Sequence, residues 1–175
     1  MHLSLKAKKY HWIDSFADNP IAHFKTELES ALNMSNLKRH ELVFLCVGTP
    51  NVPGDSLGPA VGTLLKRYGC KNVYGSLENP VHALNIQDHH RLIEKKYSAP
   101  FIIAVDAALG KKGQAGLITI KNGPLYPGKG VGKKLPPVGD MEIAGVFDIL
   151  DQPHAFSLLI RLSTCISNGI LKALK

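Results

Sequence analysis

Two carboxylates stand out because each follows a run of apolar, β-favouring residues. Asp55 lies in Gly48-Thr-Pro-Asn-Val-Pro-Gly-Asp-Ser-Leu-Gly-Pro59, and Asp106 lies in Ile102-Ile-Ala-Val-Asp-Ala107. In an open parallel sheet, ligands bind beyond the carboxyl ends of the strands, so acids at two such ends can share one site. A close pair of carboxylates can hold one proton between them, which supplies an acid and a base at neutral pH. The competing structural reading makes Asp55 a helix cap and Asp106 a strand end in water.

Other patterns fail on inspection. Gly128-Lys-Gly-Val-Gly-Lys-Lys134 is no phosphate-binding loop, because Pro127 occupies the first glycine position and Lys134 the Ser/Thr position. Pro136 and Pro137 then bar the helix whose N-terminus would hold the phosphate. The loop after Val47 lacks the dinucleotide pattern of glycines, and Ser56 lacks a Gly-x-Ser-x-Gly context. His89 and His90 are sequence neighbours and cannot share one helix face.

The elements that must position the two acids follow from hydrophobic periodicity. Ile21, Phe24, Leu28 and Leu32 predict a helix over roughly 20–34, with Pro20 at its first position and Asn19 as cap, so 1–40 reads as a helical extension packed on the sheet. The run 41–47 predicts a strand buried on both faces, and 57–68 a helix with one apolar stripe. Strands are expected near 72–77, 101–105, 116–120 and 142–147, with helices at about 82–97 and 155–174. This alternation predicts a single α/β domain, 1–175, around a mainly parallel sheet, with strands 41–47 and 101–105 adjacent or nearly so, which would bring the two aspartates to one edge. The segment 121–140 holds four prolines, five glycines and four lysines, and reads as either a substrate-facing loop or a disordered excursion.

Composition narrows the class. Apolar content of 45% and charged content of 20% are those of a soluble globular protein, and no apolar run reaches the ~18 residues of a membrane span. The N-terminus has no secretory pattern, and Cys46, Cys70 and Cys165 lack metal-ligand spacing, so a cytoplasmic, reducing location is expected. The net charge of +7 is spread over separate lysines, which describes a solvated surface; a weak attraction for nucleic acid or acidic protein stays open, with nucleic acid not the expected partner. Oligomeric state stays open.

Three motifs, in one order over about half the chain, resemble a known family. Pro53-Gly-Asp-Ser-Leu-Gly-Pro59 resembles the Pro-Asp-Ala-Leu-Gly-Pro region of bacterial germination protease, which degrades small acid-soluble spore proteins. Val105-Asp-Ala107 resembles its second aspartate motif, and Pro127-Gly-Lys-Gly-Val-Gly132 its Pro-Gly-Ser-Gly-Val-Gly loop. Glu78-Asn-Pro-Val-His-Ala-Leu84 is similar to the small sporulation relatives of the YyaC type. The resemblance implies an atypical aspartic endopeptidase that needs no cofactor, with Asp55 and Asp106 as catalytic pair. It further implies a three-layer α/β/α sandwich of the hydrogenase-maturation-protease type and a protein or peptide substrate in the cytoplasm of a sporulating cell or spore. Gly128, Lys129, Gly130 and Lys133 fall on the substrate loop, although Lys129 replaces a serine and Ser56 an alanine of the family pattern.

Alternatives remain at this level. Hydrogenase maturation proteases bind nickel through two acids and a histidine, a set that Asp55, Asp106 and His154 would match with nickel or zinc. A non-catalytic relative would bind a spore protein without cutting it. Peptidyl-tRNA hydrolases have a related sandwich, yet their essential histidine is missing here, since no histidine lies between His40 and His82.

Overall fold

The computed structural model describes residues 10–33, 42–128, 135–148 and 154–175. In chain order the elements are β1 (Tyr10–Asp14), α1 (Pro20–Asn33), β2 (Leu42–Cys46), α2 (Leu57–Arg67), β3 (Val73–Tyr74), α3 (Ile86–Lys96), β4 (Phe101–Gly110), β5 (Leu117–Asn122), β6 (Met141–Asp148) and α4 (Ala155–Ala173). The strands form one sheet in the order β1-β5-β6-β4-β2-β3. Strands β3, β2, β4 and β6 run parallel, and β5 alone opposes both its neighbours. The two central strands are adjacent, with Leu42 opposite Phe101 and Cys46 opposite Val105.

Every residue of β2 is buried, as its unbroken apolar run requires of a strand covered on both faces. On one face Phe24 and Leu28 of α1, Leu57, Val61 and Leu65 of α2, and Leu162, Ile166 and Ile170 of α4 pack on Phe44, Ile103, Val105 and Ile143. On the other, Ile86 and Ile93 of α3 pack on Val43, Leu45, Ile102 and Ala104. Each large apolar side chain so buried contributes roughly 1.5–3 kcal/mol. No helix among the described residues is long and apolar enough to cross a membrane.

Four expectations need correction. The N-terminal region is not wholly helical, because Tyr10–Asp14 adds an edge strand to β5 with His11 and Ile13 turned inward. Helix α3 starts at Ile86 and not near 82, since the Asn85 side chain accepts the His82 N–H (2.8 Å) and donates to Pro80 O (3.1 Å), holding a turn there. Strand β4 runs five residues past 105, because β6 pairs with it as far as Gly110.

The fourth concerns 121–140, whose ends are structured. Lys121 and Asn122 belong to β5, and Leu125 and Val138 exchange two backbone hydrogen bonds of 2.9 Å and bury themselves in the second core. The arm is rooted where β4 begins: Ile102 N–H donates to the Asp140 carboxylate (2.9 Å) and Asp140 N–H donates to Ile102 O (2.8 Å). It then follows α3, with Gly139 N–H on His90 Nε2 (3.4 Å) and Gln87 Nε2 on Pro136 O (3.0 Å). Since α3 descends from the end where Val47 bridges Val81, the arm climbs toward that same end.

Candidate active site

The chain leaves β2, forms α2 and adds β3 on one side, then returns to place β4 on the other. Strand order therefore reverses between β2 and β4, and a crevice opens at their carboxyl ends, where ligands of such sheets bind. The opening is visible in the hydrogen bonds. Val47 N–H still donates to Val105 O (2.7 Å), but Val47 then pairs with Val81 while β4 continues along β6. Asp106 is the first β4 residue beyond the β2 ladder. It sits inside a strand, not at its end as the sequence predicted, and the opening comes from β2 stopping short.

Asp55 reaches the same crevice from the loop after β2. Gly48, at φ +142°, approaches the turn so closely that a Cβ there would lie 1.9 Å from Asp55 O. Its N–H donates to Val81 O (2.8 Å), fixing the first step of the loop. Thr49 then donates both its backbone N–H (2.8 Å) and its hydroxyl (2.7 Å) to Asp55 Oδ2. Asp55 also stands just before Ser56, the residue that caps α2.

The rest of the motif seats that helix. Ser56 is buried and donates its hydroxyl to Pro53 O (2.8 Å), a structural bond that takes it out of nucleophilic chemistry. Leu57 is fully buried. A Cβ on Gly58 would meet Val47 O at 2.1 Å and Val105 O at 2.8 Å, so α2 begins directly on the split between β2 and β4.

Asp106 shares its sheet face with Ile102 and Ala104, on the α3 side. It keeps slight surface exposure but is closely surrounded, and burial pushes its carboxyl up from 3.8 to about 7. The Ala107 N–H, donating to Asp106 Oδ1 at 2.7 Å, opposes that rise, while the charges of Asp55 and Glu142 add to it. Asp55 is thus near enough for its charge to act on Asp106. Glu142, two register positions back on β6 and so on the same face, forms an ion pair with Lys121 of β5.

The other sequence candidates fall elsewhere. Gly128, at φ +75°, lies on the climbing end of the arm, and Lys129, Gly130 and Lys133 lie outside the described residues. His154 is exposed at the cap of α4, in a groove of about 590 Å³ with Phe16, Arg161 and Cys165. Among the described residues no three of His, Cys, Asp or Glu converge as a metal site, so the set Asp55, Asp106, His154 is not assembled. A second concavity of about 480 Å³ lies by His90 and Asp140, at the root of the arm. Neither hollow contains Asp55 or Asp106, whose site is an open crevice at the sheet edge. Sequence reasoning missed Thr49, Lys121 and Glu142. Thr49 had a signal, as a hydroxyl six residues before an aspartate in one tight loop; the Lys121–Glu142 pair depends on strand register.

Comparison with known proteins agrees with the YyaC-type relation. A family model described as a protein of unknown function, DUF1256, matches residues 14–170. The uncharacterized protein YyaC of Bacillus subtilis (strain 168) is 45% identical over 127 residues, which cover 71% of this chain and 61% of that one. The chain thus spans about three fifths of that relative's length. On the extent of the family match, the chain belongs to the DUF1256 family.

Proposed function

We propose that this chain is an endopeptidase of the germination-protease kind, hydrolysing peptide bonds with Asp55 and Asp106 on a sheet of the hydrogenase-maturation-protease type. The observation that carries this reading is the unequal setting of the two acids. Burial lets Asp106 keep its proton near neutral pH, while Thr49 places two donors on Asp55 Oδ2. In such a pair the carboxyl that keeps its proton serves as donor and its partner as base. Asp55 accepts a proton from a water, the water oxygen attacks the peptide carbonyl carbon, and Asp106 donates its hydrogen bond to the carbonyl oxygen as negative charge grows there. Collapse of the tetrahedral intermediate breaks the C–N bond, and the proton held by Asp55 passes to the leaving amine. The arm that climbs along α3 brings Gly128 toward the crevice, in keeping with a substrate loop; by sequence, Lys129 and Lys133 are its candidates for contacts to the substrate.

Small acid-soluble spore proteins are the substrate class to test, in the cytoplasm of a sporulating cell or in the spore. Incubating the pure protein with them, with mass spectrometry of the products, should show discrete cleavage. Asp55→Asn and Asp106→Asn should each reduce the rate by roughly 10²–10⁴-fold, the usual scale for one general acid or base. Near wild-type turnover in either variant would rule out the pair.

A further inference from the structure

We propose that the groove between α4 and the turn after β1 binds a small organic monocarboxylate with an apolar body, held at its carboxylate by Arg161. The groove contains neither Asp55 nor Asp106, and the proposal is independent of the peptidase reading.

One wall is built by the chain just past β1. Ser15 N–H donates to Gly116 O (3.1 Å), Phe16 N–H to the Asp14 carboxylate (2.9 Å) and Ala17 N–H to Asp14 O (3.2 Å). The turn is thus fixed before α1 starts at Pro20. Gly116 lets the Phe16 ring lie close, since a Cβ there would stand 2.2 Å from Cε2. Phe16, Pro20 and Ile21 make this wall apolar, beside a hollow of about 590 Å³, a size usual for small-molecule sites.

Helix α4 supplies the other wall, and there the groove is polar. Ser157, Arg161 and Thr164 recur at helical spacing and line it. The Arg161 guanidinium stacks on the Phe16 ring, with Cζ 4.3 Å from the centroid, and Nη1 donates to Ser15 O (3.1 Å). These two contacts fix the plane of the fork and use one of its five N–H donors. Among the described residues no carboxylate pairs with Arg161, and no Asp or Glu lines the groove. Ser15 is fully buried on the groove wall, and its hydroxyl has no hydrogen-bond partner among the described residues, which adds another unspent donor. A guanidinium held in this way receives a planar oxyanion on two parallel N–H bonds.

Charge and surface narrow the ligand class. Arg161 brings one positive charge, and His154 stands two turns away at seven residues, roughly 10 Å along the helix. One cation matches a carboxylate, whereas a phosphate monoester carries about −1.5 to −2. Phe16 is 59% exposed and Ile160 53%, while Leu158 between the walls is 8% exposed. The groove therefore offers apolar surface that a hydrocarbon body would cover.

The test titrates the full chain with octanoate, phenylpropionate, octanol and inorganic phosphate, following backbone amides by two-dimensional NMR. Both carboxylates should shift Ser15, Phe16, Ala115 and Thr164 and saturate in the low millimolar range, the scale for ligands of about ten heavy atoms. Octanol should bind about tenfold more weakly, because it cannot form the charge-assisted pair. Arg161→Met should weaken octanoate about tenfold and leave octanol unchanged, and Arg161→Lys, which keeps the charge but not the fork, should fall between. Equal octanoate affinity in Arg161→Met and wild type, octanol binding as tightly as octanoate, or no shift of these amides by about 20 mM octanoate overturns the proposal. Inorganic phosphate binding as tightly as octanoate makes the groove a plain anion site and overturns it too. The comparison of octanoate with octanol needs only the wild type, so it decides the matter even if a substitution at Arg161 unfolds the chain.

Discussion

Replacing Asp106 with asparagine should make the protein more stable at neutral pH and leave it nearly unchanged in acid. The folded-state carboxyl titrates at about 7 against 3.8, with burial as the main cause. Its proton is therefore bound more tightly in the folded chain than in the unfolded one. Below about pH 4 the group is neutral in both states and costs nothing. As pH rises from about 4 to about 7, the unfolded chain releases its proton while the folded chain holds on, and stability falls. The interval spans about three pH units at ~1.36 kcal/mol each, which makes roughly 4 kcal/mol an upper bound above pH 7. Partial exposure of Asp106 lets solvent screen some of this, so roughly 2–4 kcal/mol is expected. Asparagine never ionises, and its side-chain oxygen can still accept the Ala107 N–H. Urea unfolding of both proteins from pH 4 to pH 8 should thus give curves that nearly coincide in acid and separate steadily above pH 5. For a chain of this size the difference near pH 8 corresponds to about 10 °C in Tm. A stability difference that does not change with pH, or a wild type more stable than the variant at pH 8, would refute the assignment of Asp106 as the buried acid.

Three further perturbations bear on the same site. Thr49→Val removes the hydroxyl bond to Asp55 Oδ2 but keeps the backbone one, and should lower kcat roughly tenfold with little change in Tm; an unchanged kcat would make that bond irrelevant to catalysis. Lys121→Met strips Glu142 of its cation, leaving a bare negative charge on the face that holds Asp106; the alkaline limb of the pH–rate profile should move upward by about half a pH unit, and a downward move would contradict the geometry. Gly58→Ala forces a methyl against Val47 O and Val105 O and should cost about 3 kcal/mol or more in urea unfolding, whereas Gly69→Ala, with open space but φ +88°, should cost only about 1–2 kcal/mol.

What could be read from the chain, and what could not, follows from how far each feature reaches in sequence. The runs 42–46 and 101–105 are so apolar that only a doubly covered strand suits them, which made both strands and their adjacency legible. The stripes on α1, α2 and α4 were equally plain, since each repeats at helical spacing over several turns. Strand β1 was not, because its alternation puts Tyr10 and Trp12 outside and a histidine inside, the reverse of the usual pattern for a half-buried strand. The end of β4 was hidden for another reason: Ala107–Gly110 has weak strand preference by itself and is held there by four register pairs with β6. His154 was correctly placed at a helix start but lies in a different groove from the acids, and nothing local to its own segment could reveal that.

The different roles given to the two aspartates arise from topology more than from residue type. Asp106 is largely enclosed because β4 carries it past the last residue of β2 while β6 still flanks it. Glu142, the nearest strand neighbour of like charge, is held by Lys121, so its push on Asp106 is limited and burial stays the main cause of the raised affinity. Asp55, by contrast, hangs on a loop whose one requirement is close approach, met by Gly48 beneath it and by Gly58 where α2 meets the strands. That loop gives it the two hydrogen-bond donors of Thr49. An acid built into the sheet and a base hung from the loop can be altered separately, and this is why Thr49→Val should act on turnover while Asp106→Asn acts on both turnover and the pH dependence of stability.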